Sequence, residues 1–149
     1  MRAVLQRVSK ARVLIEGAVV GEIAAGLVVL LAVGRDDTPE TPAAMAEKII
    51  NLRIFSDDMG KMNRSLLDTG GAVLAVSQFT LYGDARGQRR PSFLGAAPPD
   101  AGKAGYEQFI RELQNRGIQV ATGVFQTHMS VELANDGPTT ILLDSEKKF

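Results

Sequence analysis

Residues 72–83 read Ala-Val-Leu-Ala-Val-Ser-Gln-Phe-Thr-Leu-Tyr-Gly, and the fold turns on how they are read. The run opens apolar without a break, and Ala72–Phe79 reads as a strand buried on both faces. It becomes polar at Ser77-Gln78 and then enters a stretch rich in Gly, Pro and Arg. A second run of the same kind, Leu27–Val33, lies between Gly26 and Gly34. It is the longest apolar stretch in the chain and falls far below the ~20 residues of a membrane span.

Working outward, residues 3–8 alternate, with Val4, Gln6 and Val8 against Ala3, Leu5 and Arg7, and residues 12–15 do so less cleanly. Glu16-Gly17 reads as a hairpin turn into Ala18–Ile23. Thr38-Pro39 and Thr41-Pro42 each offer a hydroxyl cap followed by proline at a first helical position. Met45, Ile49 and Leu52 then form one apolar stripe. Arg53–Phe55 leaves that helix as a strand, and Asp57–Gly60 and Gly70-Gly71 are turns. Residues 83–99 read as a long loop, a feature uncommon without a function.

A second helix starts at Pro99 or Asp100. It carries Tyr106, Phe109, Ile110 and Leu113 on one face and ends before Gly117. Ile118–Val120 and Val124–Leu133 read as strands. In the latter, Phe125, Thr127, Met129, Val131 and Leu133 share one face, and Gln126, His128, Ser130 and Glu132 the other. Asn135-Asp136-Gly137-Pro138 reads as a turn into Thr139–Leu143. The expected architecture is α+β: a single β-rich domain over residues 1–149, with roughly seven or eight strands and two main helices.

Composition removes several chemistries. The chain has 149 residues, 45% of them hydrophobic, and no cysteine, so disulfides, thiolate nucleophiles and Cys-based zinc sites are excluded. Its one histidine, His128, cannot build a multi-imidazole metal site alone. Lysine plus arginine and aspartate plus glutamate each number 17, so net charge gives no pull toward nucleic acid and any RNA contact needs a local basic patch. The start, MRAVLQRVSK, alternates and carries three basic residues, unlike a signal peptide. A cytoplasmic protein without membrane attachment is the simplest expectation.

Few residues offer chemistry. Ser77-Gln78-Phe79-Thr80-Leu81-Tyr82-Gly83 lies at the end of a buried strand entering a Gly-rich loop, where backbone N–H groups lose strand partners and can stabilise an oxyanion, with Ser77 or Thr80 supplying a hydroxyl. A solvated strand end is the plainer reading of the same residues. Gly137-Pro138 presents main chain with almost no side chain, which suits a wall close to a small ligand, or simply a turn. Arg86, Arg89 and Arg90 can bind phosphates or be a solvated loop. His128 reads as a surface residue, and Asp57-Asp58 as a solvated turn. No phosphate loop, dinucleotide fingerprint, GxSxG or HExxH pattern occurs.

Taken together and in order, Gln6-Arg7-Val8, Arg53-Ile54-Phe55, Gly60-Lys61-Met62-Asn63, Ser77-Gln78-Phe79-Thr80-Leu81, Arg90-Pro91-Ser92-Phe93 and Asn135-Asp136-Gly137-Pro138 resemble the D-aminoacyl-tRNA deacylase family over essentially the whole chain. The resemblance implies a barrel-like sheet, a homodimer, and no cofactor or metal. The substrate would be aminoacyl-tRNA, held by its 3′-terminal adenosine. Ser77, Gln78, Phe79 and Thr80 would form the catalytic segment, with the amides near Phe79 and Thr80 as an oxyanion hole. A cis Gly137-Pro138 bond would reach into the partner subunit's site and block an L-side chain, steadied by Arg7, with Met129 lining the same pocket. Glycyl-tRNA would then be poorly rejected. Thr80 resembles a residue regarded as a nucleophile in the family, while a competing view gives the activating role to the substrate's ribose 2′-OH. The absence of an evident base beside Thr80 favours the second. A sister deacylase that removes L-alanine from mismatched tRNA carries a different strand-end motif. A non-catalytic tRNA- or protein-binding module is the rival from another class.

Overall fold

The computed structural model describes residues 1–149. In chain order the elements are β1 (Arg2–Ile15), β2 (Ala18–Ile23), β3 (Gly26–Ala32), α1 (Thr41–Asn51), β4 (Phe55–Ser56), β5 (Met62–Arg64), α2 (Leu66–Thr69) and β6 (Ala72–Ser77). A 3-10 turn (Phe79–Tyr82), α3 (Pro99–Asn115), β7 (Val120–Thr122) and β8 (Ser130–Asp144) follow.

The spine is β1, a 14-residue strand. Along one edge it pairs first with β3, through Arg2–Val8, and then with β2, through Ala11–Ile15; along the other edge it pairs with β8. The main sheet runs β2-β1-β3-β6-β7, with β8 on β1. β3, β6 and β7 are mutually parallel, their crossovers carrying α1 and α3. The sheet curls until β2 meets β7, and a Cβ on Gly21 would lie 2.4 Å from the Thr122 carbonyl oxygen. A nearly closed barrel results, as expected.

The unbroken apolar runs are explained by the two faces of this sheet. Leu27, Val29, Leu31, Val73 and Ala75 pack under α1 and α3 against Ile49, Ile50, Phe109 and Leu113. Val28, Leu74 and Val76 face the barrel interior with Val8, Val13 and Ile23. Because both faces are covered, neither strand shows the alternation of a half-buried one. Burial pushes the Tyr106 phenol well above its ordinary pKa, so it keeps its proton and donates to the Ala75 carbonyl at 2.8 Å, pinning α3 to β6.

At Gly26 β3 and β6 come together so closely that a Cβ would lie 2.0 Å from the Ala72 carbonyl oxygen and 2.8 Å from its nitrogen. Backbone cannot yield there without parting the two central strands. Gly26→Ala is therefore expected to cost at least about 3 kcal/mol in urea unfolding. An unchanged midpoint would show that the strands can separate locally.

Several expectations need correction. Neither threonine caps α1, since Glu40 holds the cap position with no side-chain bond. Thr41 is instead the first helical residue, its hydroxyl accepting from the Thr38 amide at 3.0 Å. The strand expected at Arg53–Phe55 is only Phe55–Ser56. A one-turn helix, α2, was not foreseen, although Ser65 and Asp68 form a reciprocal capping box around it. Val124–Met129 is loop rather than strand, with Gln126 at φ 58°. Gln126 and His128 therefore share no strand face with Ser130.

Asn135–Pro138 is not a hairpin turn. Pairing with β1 resumes on both sides of it, Asn135 opposite Val8 and Thr140 opposite Gln6. Only Arg7 lies between those partners on β1, whereas Asp136–Thr139 lie between them on β8. The segment is thus a long, irregular bulge bowed out of a continuing strand.

Candidate active site

A cavity of about 750 Å³ opens where β6 ends. Val76, Ser77 and Gln78 form one side, and the loop Phe125–His128 with Met129 forms another. Phe79 and Phe93 stand at its edge, and Ala96 and Ala97 before α3 and Gly102 in its first turn also line it.

The strand end has a definite local cause. Ser77 opposite Leu31 is the last ladder pair of β6, and the Gln78 amide makes one further bond to the Leu31 carbonyl at 2.8 Å. Gln78 then turns the chain (φ −143°, ψ 72°) into the 3-10 segment. The first bond of that turn runs from the Leu81 amide to the Gln78 carbonyl at 3.2 Å. The N–H groups of Phe79 and Thr80 precede it, where helical geometry provides no acceptor.

The side chains around these amides are sparsely engaged. Phe79 is 56% exposed and meets Phe93 edge-on, ring centroids 5.1 Å apart. The Gln78 carboxamide donates to the Thr80 hydroxyl. The Met129 sulfur accepts from the Val124 amide at 3.2 Å and fills the space where a Cβ on Gly123 would sit, 2.6 Å away. His128 lines the cavity, which its sequence context did not suggest.

The bulge forms a second centre. Gly137-Pro138 is a cis peptide and both residues are exposed. Behind them Arg7, only 8% exposed, donates to the Ile54 carbonyl at 2.6 Å and sets its Nε 3.0 Å from Asp136. That Nε–Asp136 contact is one of charge rather than of aligned hydrogen bonding. Asn135 braces the bulge from inside, its amide donating to the carbonyls of Arg7 at 2.8 Å and Thr139 at 3.0 Å.

Ser77, Gln78, Phe79 and Met129 are thus brought to one cavity, with Thr80 on the adjoining turn and outside the lining. Arg7, Gly137 and Pro138 are not with them. Arg7 pairs with Leu27 and Ser77 with Leu31, four residues further along β3, and three strand spacings separate β8 from β6. Ordinary strand dimensions put the bulge on the order of 20 Å from Ser77 within one chain.

Residues not foreseen at the cavity include Val33, Ala96, Ala97 and Gly102. Their small or apolar side chains gave no signal of their own. Asp57 is spent on its turn, accepting from the Asn63 side chain and from the Lys61 and Met59 amides, which together hold its carboxyl below the usual range. No cluster of three or more His, Cys, Asp or Glu side chains is placed to hold a metal ion. No helix is long and apolar enough to cross a membrane.

The fold and site define a strand-rich, nearly closed barrel whose cavity is edged by free main-chain amides. The profile of the family described as D-Tyr-tRNA(Tyr) deacylase matches residues 4–144, and the chain belongs to that family, as a hydrolase. It is similar to the D-aminoacyl-tRNA deacylases of Thermosipho africanus and Thermotoga petrophila, each 58% identical over 149 residues and 100% of both chains. It is also similar to that of Thermus aquaticus, 57% identical over 99% of this chain and 97% of the relative. Among solved structures, one titled c-Myc DNA Unwinding Element Binding Protein superposes with TM-score 0.92 at 37% identity, covering 97% of this chain and 99% of that one. Another, described as a probable eukaryotic D-amino acid tRNA deacylase, superposes at 0.82 and 20% identity, over 95% and 97%, and shares the fold.

Proposed function

We propose that this protein hydrolyses the ester of D-aminoacyl-tRNA, releasing the D-amino acid and free tRNA, and spares L-aminoacyl-tRNA as a proofreading step of translation in the cytoplasm. The observation that carries the reading is the pair of unpartnered amides of Phe79 and Thr80 at the rim of a cavity large enough for a nucleoside. The terminal adenosine would stack on the exposed Phe79 ring. The ester carbonyl oxygen would sit against the two N–H groups, which stabilise the negative charge that grows there as water adds. Collapse of the tetrahedral intermediate returns the amino acid and the ribose hydroxyl.

The attacking water needs a base. The Thr80 hydroxyl is hydrogen-bonded to the Gln78 carboxamide, a group that takes up no proton. An unassisted threonine is a weak nucleophile. The substrate's own 2′-OH, beside the ester, is the better candidate to orient and activate water. Thr80→Val keeps the size and branching and removes only the hydroxyl. It is expected to keep kcat within about tenfold of wild type in single-turnover deacylation. A loss of about 1,000-fold or more would restore Thr80 as the nucleophile.

Chiral selection would come from Gly137-Pro138 of a second subunit. The bulge lies too far from its own cavity to serve it, yet it is exposed and braced from behind by Arg7 and Asn135. Seated at the neighbour's cavity beside Met129, its bare main chain would leave no room for an L-side chain and let a D-side chain point to solvent. Glycine, having no side chain, would pass the filter. The experiment is deacylation of D-Tyr-tRNA and L-Tyr-tRNA side by side by purified protein. Rapid loss of the D ester with the L ester intact is expected. Equal hydrolysis of both, or of neither, would contradict the reading.

A further inference from the structure

We propose that Asp84–Ser92 is an arm that grips backbone phosphates of the single-stranded tRNA 3′ end as it leaves the cavity, an inference that rests on the deacylase reading and adds a contact to it. The chain as a whole is neutral. Within residues 84–92, however, Arg86, Arg89 and Arg90 stand against Asp84 alone, three positive charges to one negative, a net +2. The neutral molecule has therefore concentrated cationic charge on one projection.

That projection is a built element. Asp84 and Ser92 exchange two backbone hydrogen bonds, both 2.8 Å, which close its base. The Gln88 carboxamide bonds back to the Asp84 carbonyl at 3.2 Å, and Gly87 takes the positive φ of 70° that turns the tip. Arg86 is clamped by the Asp84 carboxylate at 2.9 and 2.6 Å, and its guanidinium holds that carboxyl far below the usual range. Arg89 and Arg90 are exposed at the tip and make no ion pair or hydrogen bond with the protein. Two guanidinium groups are left with their donors free.

Placement gives those donors a task. Gly83 joins the arm to the 3-10 turn that carries Phe79, and Phe93, one residue past the closing pair, meets Phe79 edge-on at the cavity edge. An oligonucleotide with its last nucleoside in the cavity and its chain leaving over this edge would present phosphodiester oxygen to a guanidinium there. Arginine matches that geometry with paired N–H donors. Such contacts read no base, so they would serve many tRNAs alike.

The test compares wild type, the double variant Arg89→Ala with Arg90→Ala, and the double Arg→Lys variant. Substrates are full-length D-Tyr-tRNA and D-tyrosyl-adenosine, which lacks any phosphodiester; Kd for uncharged tRNA is measured across a salt series. The Ala pair is expected to raise KM and Kd for tRNA by about tenfold and to lower the slope of log Kd against log salt by about one to two. The Lys pair should retain most of that slope, and kcat and D-tyrosyl-adenosine cleavage should stay at the wild-type level. An unchanged tRNA KM and salt slope in the Ala pair, or an equal loss on the short substrate, would overturn the arm's role alone. A wild-type protein inactive on both substrates would instead overturn the deacylase reading, and the arm with it.

Discussion

Gly137→Ala is expected to give a folded protein with at least about 100-fold lower kcat/KM on D-Tyr-tRNA and a weakened preference for D over L. Gly137 holds φ at 119°, a conformation that L-residues rarely adopt. The direction of the missing side chain matters as much. A Cβ would lie 2.7 Å from the Thr139 hydroxyl, 2.9 Å from Arg7 Nη2 and 3.1 Å from the Thr139 amide. The added methyl would therefore press on the bulge's own support rather than crowd a substrate directly. The bulge must shift to relieve it, and displacements near 1 Å suffice to spoil a filter that works by steric fit. The rest of β8 pairs with β1 on both sides of the bulge, so the fold should survive at a cost of about 1–3 kcal/mol. Circular dichroism and paired D/L kinetics check this. Wild-type activity with intact selectivity would remove Gly137 from the mechanism.

The second large effect concerns a group that ordinary side-chain mutagenesis leaves in place. Phe79→Pro deletes the Phe79 N–H itself. Gln78 before it is already outside the helical region, at φ −143°, as a residue preceding proline must be. Position 79 opens the 3-10 turn, where a proline φ is at home and no hydrogen bond of the fold is lost. Phe79→Ala removes the same ring but retains the amide, so the pair of variants separates stacking from oxyanion binding. Phe79→Ala is expected mainly to raise KM for tRNA. Phe79→Pro should in addition lower kcat by about 100- to 1,000-fold relative to Phe79→Ala. Equal kcat in the two variants would mean that the amide does not face the developing charge.

What could be read from the sequence follows from which signals are local. The double-sided burial of Leu27–Val33 and Ala72–Val76, the stripe of α3 and the Gly117 stop depend on periodicity and on a left-handed residue, and all are found in the structure. Two ends differ: Leu52, the last residue of the expected α1 stripe, is the extended C-cap, and β6 stops at Ser77, two residues short of the expected Phe79, where the chain turns into the 3-10 segment. The Asn135–Pro138 bulge could not be read that way. Its residues are those of a turn, and only the long-range pairing of β1 on both sides of it keeps it within a strand. Val124–Met129 alternates like a strand but has no partner to pair with, so it becomes cavity wall, and His128 goes with it. The cavity lining from Ala96, Ala97 and Gly102 carried no signal, because small residues mark a wall only once something stands opposite. Only the family resemblance sets Arg7 beside Gly137-Pro138; a separation of 130 positions gives no local clue.

In the proposed mechanism each active site takes its amides from one subunit and its chiral filter from the other. It is tested by mixing two inactive proteins, Gly137→Ala and Phe79→Pro, under conditions that let subunits exchange. A heterodimer then pairs the intact Gly137-Pro138 of one chain with the intact Phe79 amide of the other, giving one complete site. Random exchange should restore about one quarter of wild-type D-Tyr-tRNA hydrolysis. No recovery, with exchange verified by mass, would place both functions in a single chain and contradict the account.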